Sequence, residues 1–306
     1  MTRYPIEFDD VQRWFADRPV LRGLSCRVEP GTVYALLGRN GSGKTTALRI
    51  LLGFLQPHHG TARLFGEDCT ALSPQLRGRV GYIGEDHRLY PTMSVTEAVA
   101  FEAGTRPGFR RDFAEAALKR CGLAGKHRIP RLSRGQRAQL SVVLAVAGNP
   151  EVLICDDPAL GLDVVMRREL LDVMIELLAD TGSTVLFSSH FLTDVERIAD
   201  RIGILHDGCL LVDATLADLE RRVRRCAFVP DDGTAMPVGA DILRVRKRRT
   251  GVDLLLLDAD AERLATLRRL GELSEPAPLS LEDLFLDLVG PEHGVIDRAA
   301  ALEEAS

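Results

Sequence analysis

The sequence predicts an α/β protein with an inserted helical subdomain and a small α+β appendage at its C-terminal end. Short runs rich in Val, Ile and Leu alternate with stretches of helical periodicity. A glycine-rich turn joins the first clear strand to the first clear helix. After the arginine-rich run at residues 221–225 the texture shifts to shorter elements.

Val33–Leu37 is a continuous apolar run and reads as a strand buried on both faces. Residues 45–55 then place Ala47, Leu48, Leu51, Leu52 and Leu55 at helical spacing. Val80–Ile83 is another short strand. Residues 94–102 read as a helix, with Ser94 as N-cap and Glu97 completing a capping box. A second helix over 111–121 is stopped by Gly122, and a third spans 133–147. Strands return at 151–155, 184–187 and 202–205, with helices at 165–178 and 192–199 between them. This gives a main domain over residues 1–220 with a helical subdomain at about 86–149. Short strands at 226–229, 242–245 and Val252–Leu257, with helices at 261–270 and 280–289, form a small domain over 226–290. Residues 291–306 read as a flexible acidic tail, and 221–225 as a solvated linker.

The 306 residues are 45% hydrophobic and 27% charged, an ordinary globular composition. A net charge of −5 gives no basic surface for nucleic acid. The apolar runs at 140–147 and 152–155 are far short of the roughly 20 residues of a membrane span, and the first ten residues do not read as a signal peptide. Six scattered cysteines without a C-x-x-C pair read as reduced thiols.

Gly38-Arg39-Asn40-Gly41-Ser42-Gly43-Lys44-Thr45 matches G-x-x-x-x-G-K-[ST] between a strand and a helix, with Thr46 next in line. Glycines let backbone N–H groups turn toward a polyphosphate, and the helix N-terminus adds positive charge. Lys44 would reach the β- and γ-phosphates, and Thr45 would offer a hydroxyl to Mg²⁺. Only four lysines occur in the chain, so chance is a poor explanation. Alone, this loop specifies a nucleoside triphosphate and no more.

Leu132-Ser133-Arg134-Gly135-Gln136 opens a helix. Ser133 and Gln136 suit a capping box, and the same exposed N–H groups suit an anion. Val152-Leu153-Ile154-Cys155-Asp156-Asp157 is a buried strand ending in two carboxylates, followed by Ala159-Leu160-Gly161-Leu162-Asp163. Ser188-Ser189-His190 ends the next strand.

In this order the motifs resemble those of the ABC ATPases over roughly residues 5–215. The resemblance implies that Ser133, Gly135 and Gln136 form the signature, that Asp156 is the Walker B ligand of Mg²⁺, and that Asp157 stands where the family has a general-base glutamate. It implies that His190 contacts the γ-phosphate and the attacking water. Phe15 falls where the family stacks an aromatic ring on adenine, with Trp14 a competing choice, and Glu85 falls at the Q-loop glutamine. One phosphate loop and one signature per chain imply a homodimer that closes over two ATP molecules.

Asp157 has one methylene less than glutamate, which implies a base set back from the water and slow hydrolysis. Glu85 is expected to link to the membrane partner more than to hold ATP. The layout and the helix opening Leu281-Glu282-Asp283 resemble ABC-2-type exporter subunits; that helix makes a dimer or regulatory contact, or simply covers its domain. The resemblance implies an ATPase, cytoplasmic and peripheral on the inner membrane face, that drives a polytopic permease. The alternative is a soluble ABC ATPase acting as a regulator or on a non-transport partner.

Overall fold

Ile6, Phe8 and Val11 are buried along β1 (Ile6–Phe15), although their spacing breaks period two. A bulge explains it: Asp10 adopts φ 48°, and pairing with β2 (Arg18–Val28) shifts between Phe8 and Val11, so Val11 returns to the inner face. This interrupted, charge-rich pattern hides both strands from a periodicity argument. The structure is a computed structural model that describes residues 4–290 apart from 124, 126, 232–236, 238 and 240; the expected tail at 291–306 lies outside these.

Contacts divide the chain into two units, the first running to Asp200 with Asp207–Cys209 added. After β3 (Val33–Leu37) comes α1 (Lys44–Leu51), then β4 (His59–Leu64) and β5 (Glu67–Asp68). The antiparallel sheet has the order β2-β1-β4-β5. Helix α1 ends four residues before the expected Leu55. Gly53 takes φ 72°, its N–H bonds to the Ile50 carbonyl, and the Phe54 N–H reaches back to Arg49, a Schellman stop that the leucine spacing conceals.

Next come α2 (Pro74–Arg77), β6 (Val80–Ile83), α3 (Val95–Thr105), α4 (Arg111–Arg120) and α5 (Arg134–Ala147). Both expected capping boxes form: Ser94 with Glu97 on α3, and Ser133 with Gln136 on α5. Then follow β7 (Val152–Asp156), α6 (Val164–Ala179), β8 (Thr184–Ser189) and α7 (Leu192–Ile198). Strands β3, β8, β7 and β6 are neighbours in that order and all parallel. Every residue of β7 and β8 is buried, as sheets covered on both faces require. Register sets Leu36 and Asp156 both against Ser188, so the loops after β3, β7 and β8 leave from one edge. Ligands of open α/β sheets bind at this carboxyl edge.

The second unit contains β9 (Arg201–His206), paired with β10 (Cys209–Thr215), then α8 (Leu216–Arg222). Its antiparallel sheet runs β12 (Ile242–Lys247), β13 (Val252–Leu257), β11 (Val223–Pro230), β14 (Gly271–Leu273), with α9 (Ala261–Arg268) and α10 (Leu281–Val289). Cys226, Phe228, Leu254 and Leu256 alternate into one core with Leu267 of α9. The run 221–225 is not a solvated linker. It ends α8 and begins β11; Val223 is buried, Arg222 pairs with Asp258 at 2.7 Å, and Arg225 pairs with the buried Asp287 of α10 at 2.7 Å. Among the described residues all six cysteines are free, and no helix is long and apolar enough to cross a membrane.

Candidate functional site

The loop from Gly38 to Gly43 turns back on itself with Gly41 at φ 83° and Gly43 at φ 112°, conformations that a side chain would strain. Gly43 is the N-cap of α1 and offers no side-chain cap, and the first turn carries no acid. Its leading N–H groups therefore keep no intrahelical partner, as an anion site requires. Lys44 is buried and donates to the carbonyls of Gly38 (2.7 Å) and Arg39 (3.2 Å). Burial pulls its pKa down, and Asp157 and Asp156 pull the other way. The buried Ser42 hydroxyl has no hydrogen-bond partner.

Asp156 ends β7 and is buried. Its Oδ1 accepts from the Thr45 hydroxyl at 3.1 Å and the Ser188 hydroxyl at 2.9 Å. Thr45 and Asp156 thus present hard oxygen donors side by side, the donor type Mg²⁺ takes. Among the described residues no group of three His, Cys, Asp or Glu could hold a metal by itself. A cation here would draw on water and phosphate oxygens, which fits Mg²⁺ beside a nucleotide.

Asp157 stands at φ 45° just past the strand. Its N–H bonds to the Ser188 hydroxyl and carbonyl, so one serine orders both acids. Oδ2 accepts from His190 Nδ1–H at 2.5 Å, while Oδ1 is buried without a hydrogen-bond partner. Burial pushes the Asp157 carboxyl up, against the lowering effects of His190 and Lys44. The result is a desolvated carboxylate with one oxygen fixed and one free. Such a group suits a general base.

An open cleft of about 680 Å³ lies over these groups. Asn40, Gly41, Gly43, Lys44, Thr45 and Thr46 line it, with Asp156, Asp157, Glu85 and Leu160. Phe15 lines its flank with Arg18 and Arg22, 45% exposed and carrying the Arg13 guanidinium 4.9 Å from its ring centroid. Trp14 does not line it; strand alternation turns its ring onto His58, stacked at 4.0 Å and 9°. Of the two aromatic candidates only Phe15 faces the cleft. His190 meets it through Asp157.

Ser133, Gly135 and Gln136 do not line this cleft. Ser133 is exposed, and its hydroxyl accepts from the Gln136 N–H at 3.2 Å. A Cβ on Gly135 would fall 1.7 Å from Met166 of α6, so α5 packs tightly on the helix after Asp163. Three further residues have roles that the motifs do not assign. Arg134 Nη2 donates to the Leu160 carbonyl at 2.7 Å and covers Gly161. Ser188 bridges the two acids. His87, buried two residues after Glu85 at φ 46°, donates from Nε2 to the Pro158 carbonyl at 2.7 Å. A lone histidine or serine carries no pattern, so only the fold reveals these roles.

Comparison with known proteins agrees with this geometry. Residues 21–160 match the family model described as ABC transporter. The bacitracin transport ATP-binding protein BcrA of Enterococcus faecalis is 34% identical over 224 residues, 72% of this chain and 73% of that one. The Nod factor export ATP-binding protein I of Paraburkholderia xenovorans is 32% identical over 302 residues, 95% of this chain and 99% of that one. A solved structure described as the ATP binding subunit of an ABC transporter superposes with a TM-score of 0.62 at 28% identity, covering 71% of this chain and 92% of the other.

Proposed function

This chain belongs to the ABC transporter family, and from that premise we propose that it is the ATP-binding and ATP-hydrolysing subunit that powers an ABC-2-type exporter through ATP-driven dimer closure. The convergence of Lys44, Thr45, Asp156 and Asp157 in one cleft, with His190 on Asp157, carries this proposal. Lys44 and the N-terminus of α1 hold the phosphates, and Phe15 stacks on the base. Asp157 takes the proton of the attacking water on Oδ1 while His190 fixes Oδ2. Thr45 and Asp156 would hold Mg²⁺, which neutralises phosphate charge when bound.

Ser133, Gly135 and Gln136 act on the nucleotide of a second copy, since they stand outside the cleft of their own chain. The subunit works as a homodimer on a polytopic permease at the inner membrane face, with residues 1–220 as the nucleotide-binding domain, 86–149 its helical subdomain and 226–290 an appended domain. Glu85 faces the cleft from a loop, a position suited to relaying permease movement. Two relatives named for different cargoes support transport as the shared role and leave cargo choice to the permease. The test is phosphate release from MgATP by the full chain, alone and co-expressed with a polytopic membrane protein encoded beside it. Hydrolysis raised by the partner is the expected result; none in either condition would sink the proposal.

A further inference from the structure

Arg167 is a half-buried arginine that the phosphate chemistry does not use. It lies one turn into α6, its N–H bonded to the Asp163 carbonyl. Its side chain is only 15% exposed, unusual for arginine. It pairs at 3.3 Å with Asp194 of α7, whose side chain is 4% exposed and whose Oδ2 has no hydrogen-bond partner. Burial pushes the Asp194 carboxyl up, and Arg167 only partly opposes this. A desolvated pair with an unsatisfied oxygen gains little net stability. Its geometry suggests a different use.

The Arg167 guanidinium lies 4.0 Å over the centre of the Phe191 ring. The Phe191 ring in turn lies 3.8 Å from the His190 ring, tilted by 40°. His190 then donates to Asp157 at 2.5 Å. Three contacts therefore run unbroken from α6 to the base. No side chain caps α7 at Phe191, so the ring has no local cap interaction to hold it. The flat guanidinium, held by Asp194, gives the Phe191 ring a plane to lie against.

We propose that Arg167 is a positioning residue for ATP hydrolysis: clamped by Asp194, it is the platform that seats Phe191 and, through it, sets the His190 imidazole against Asp157. The proposal rests on the assignment of Asp157 and His190 to hydrolysis. It also ties the loop ending at Asp163 to the histidine, because that loop leads directly into the helix bearing Arg167. Arg167 touches no residue of the phosphate loop in these contacts, so its loss should spare ATP affinity.

The test measures kcat, KM for MgATP and Tm on the full chain carrying Arg167→Met, Arg167→Lys, His190→Ala, or Arg167→Met with His190→Ala. Arg167→Met should lower kcat about 10-fold, since small misplacement of a reacting group costs at least that much, with KM within about twofold. Lysine keeps a cation for Asp194 but not the plane, so Arg167→Lys should keep the wild-type Tm and still lose kcat several-fold. In the His190→Ala background Arg167→Met should cost less than about twofold more, because residues acting through one another are not additive. An unchanged kcat in both Arg167 variants, or the same fold-loss with and without His190, would overturn the proposal. A His190→Ala chain with wild-type kcat would sink the underlying assignment and the proposal with it.

Discussion

Asp157→Asn removes one charge and almost no volume. The asparagine carbonyl can still accept from His190, so the 2.5 Å contact that fixes Oδ2 has a replacement. The amide nitrogen then takes the place of Oδ1, the buried oxygen without a partner, and cannot accept a proton. A positioned general base contributes about 10²–10⁴-fold. Loss of its only free oxygen should therefore lower kcat by at least about 100-fold, or roughly 2.7 kcal/mol of barrier. ATP affinity should hold, since Lys44 keeps both carbonyl partners. Stability should not fall either, because burial already disfavours the Asp157 charge. Phosphate release at saturating MgATP, with nucleotide binding measured separately, checks all three. A fall in kcat below about threefold would refute the assignment of Asp157 as base. Asp157→Glu is the companion: the added methylene should raise turnover, and an unchanged or lower rate would remove the idea that the aspartate is set back.

Other consequences follow from the same geometry. Phe15→Ala should weaken ATP binding about 5- to 150-fold, by roughly the 1–3 kcal/mol of one base–aromatic stack, while Trp14→Ala leaves affinity intact; equal effects on affinity would contradict the placement of the two rings. With its pKa raised, Asp157 loses its ionised form as pH falls through a value above the usual aspartate range. The acid limb of the kcat profile should lie correspondingly high and vanish in Asp157→Asn. Asp194 is also raised by burial, so its proton favours the fold: that contribution is full below the unfolded pKa and is lost as pH rises through the folded one. In the second unit, Asp287→Ala would take the 2.7 Å partner from Arg225, which is 29% exposed and keeps Asp283 at 3.5 Å, and should cost about 1.5–3 kcal/mol, read by denaturant unfolding; a change under about 1 kcal/mol would show the pair to be well solvated.

Much of this arrangement is legible in the sequence because it rests on local chemistry. Val33–Leu37, Val80–Ile83 and Val252–Leu257 fall where their apolar runs put them, and both capping boxes form where Ser precedes Glu or Gln by three. Other features depend on partners far along the chain. Strands β1 and β2 are masked by a bulge at Asp10, and Gly53 ends α1 inside a leucine pattern that continues without it. Charge alone made 221–225 look solvated, although Arg225 and Val223 are committed to β11. In the cleft, Lys44, Thr45 and Asp156 are announced by motif. Ser188, His87 and Arg167 are not, because each acts through contacts with residues 24 to 71 positions away.

The proposal that each ATP site is shared between two chains is tested most directly by complementation. Lys44→Ala disables the phosphate loop and leaves the signature. Ser133→Asp keeps a good N-cap for α5 but aims a negative charge at the phosphate of the other chain. Each variant alone has no intact site. Mixed in equal amounts, they form dimers with one intact phosphate loop facing one intact signature. Phosphate release well above the sum of the two variants alone is the predicted result; a mixture no more active than that sum would contradict a site built from two chains.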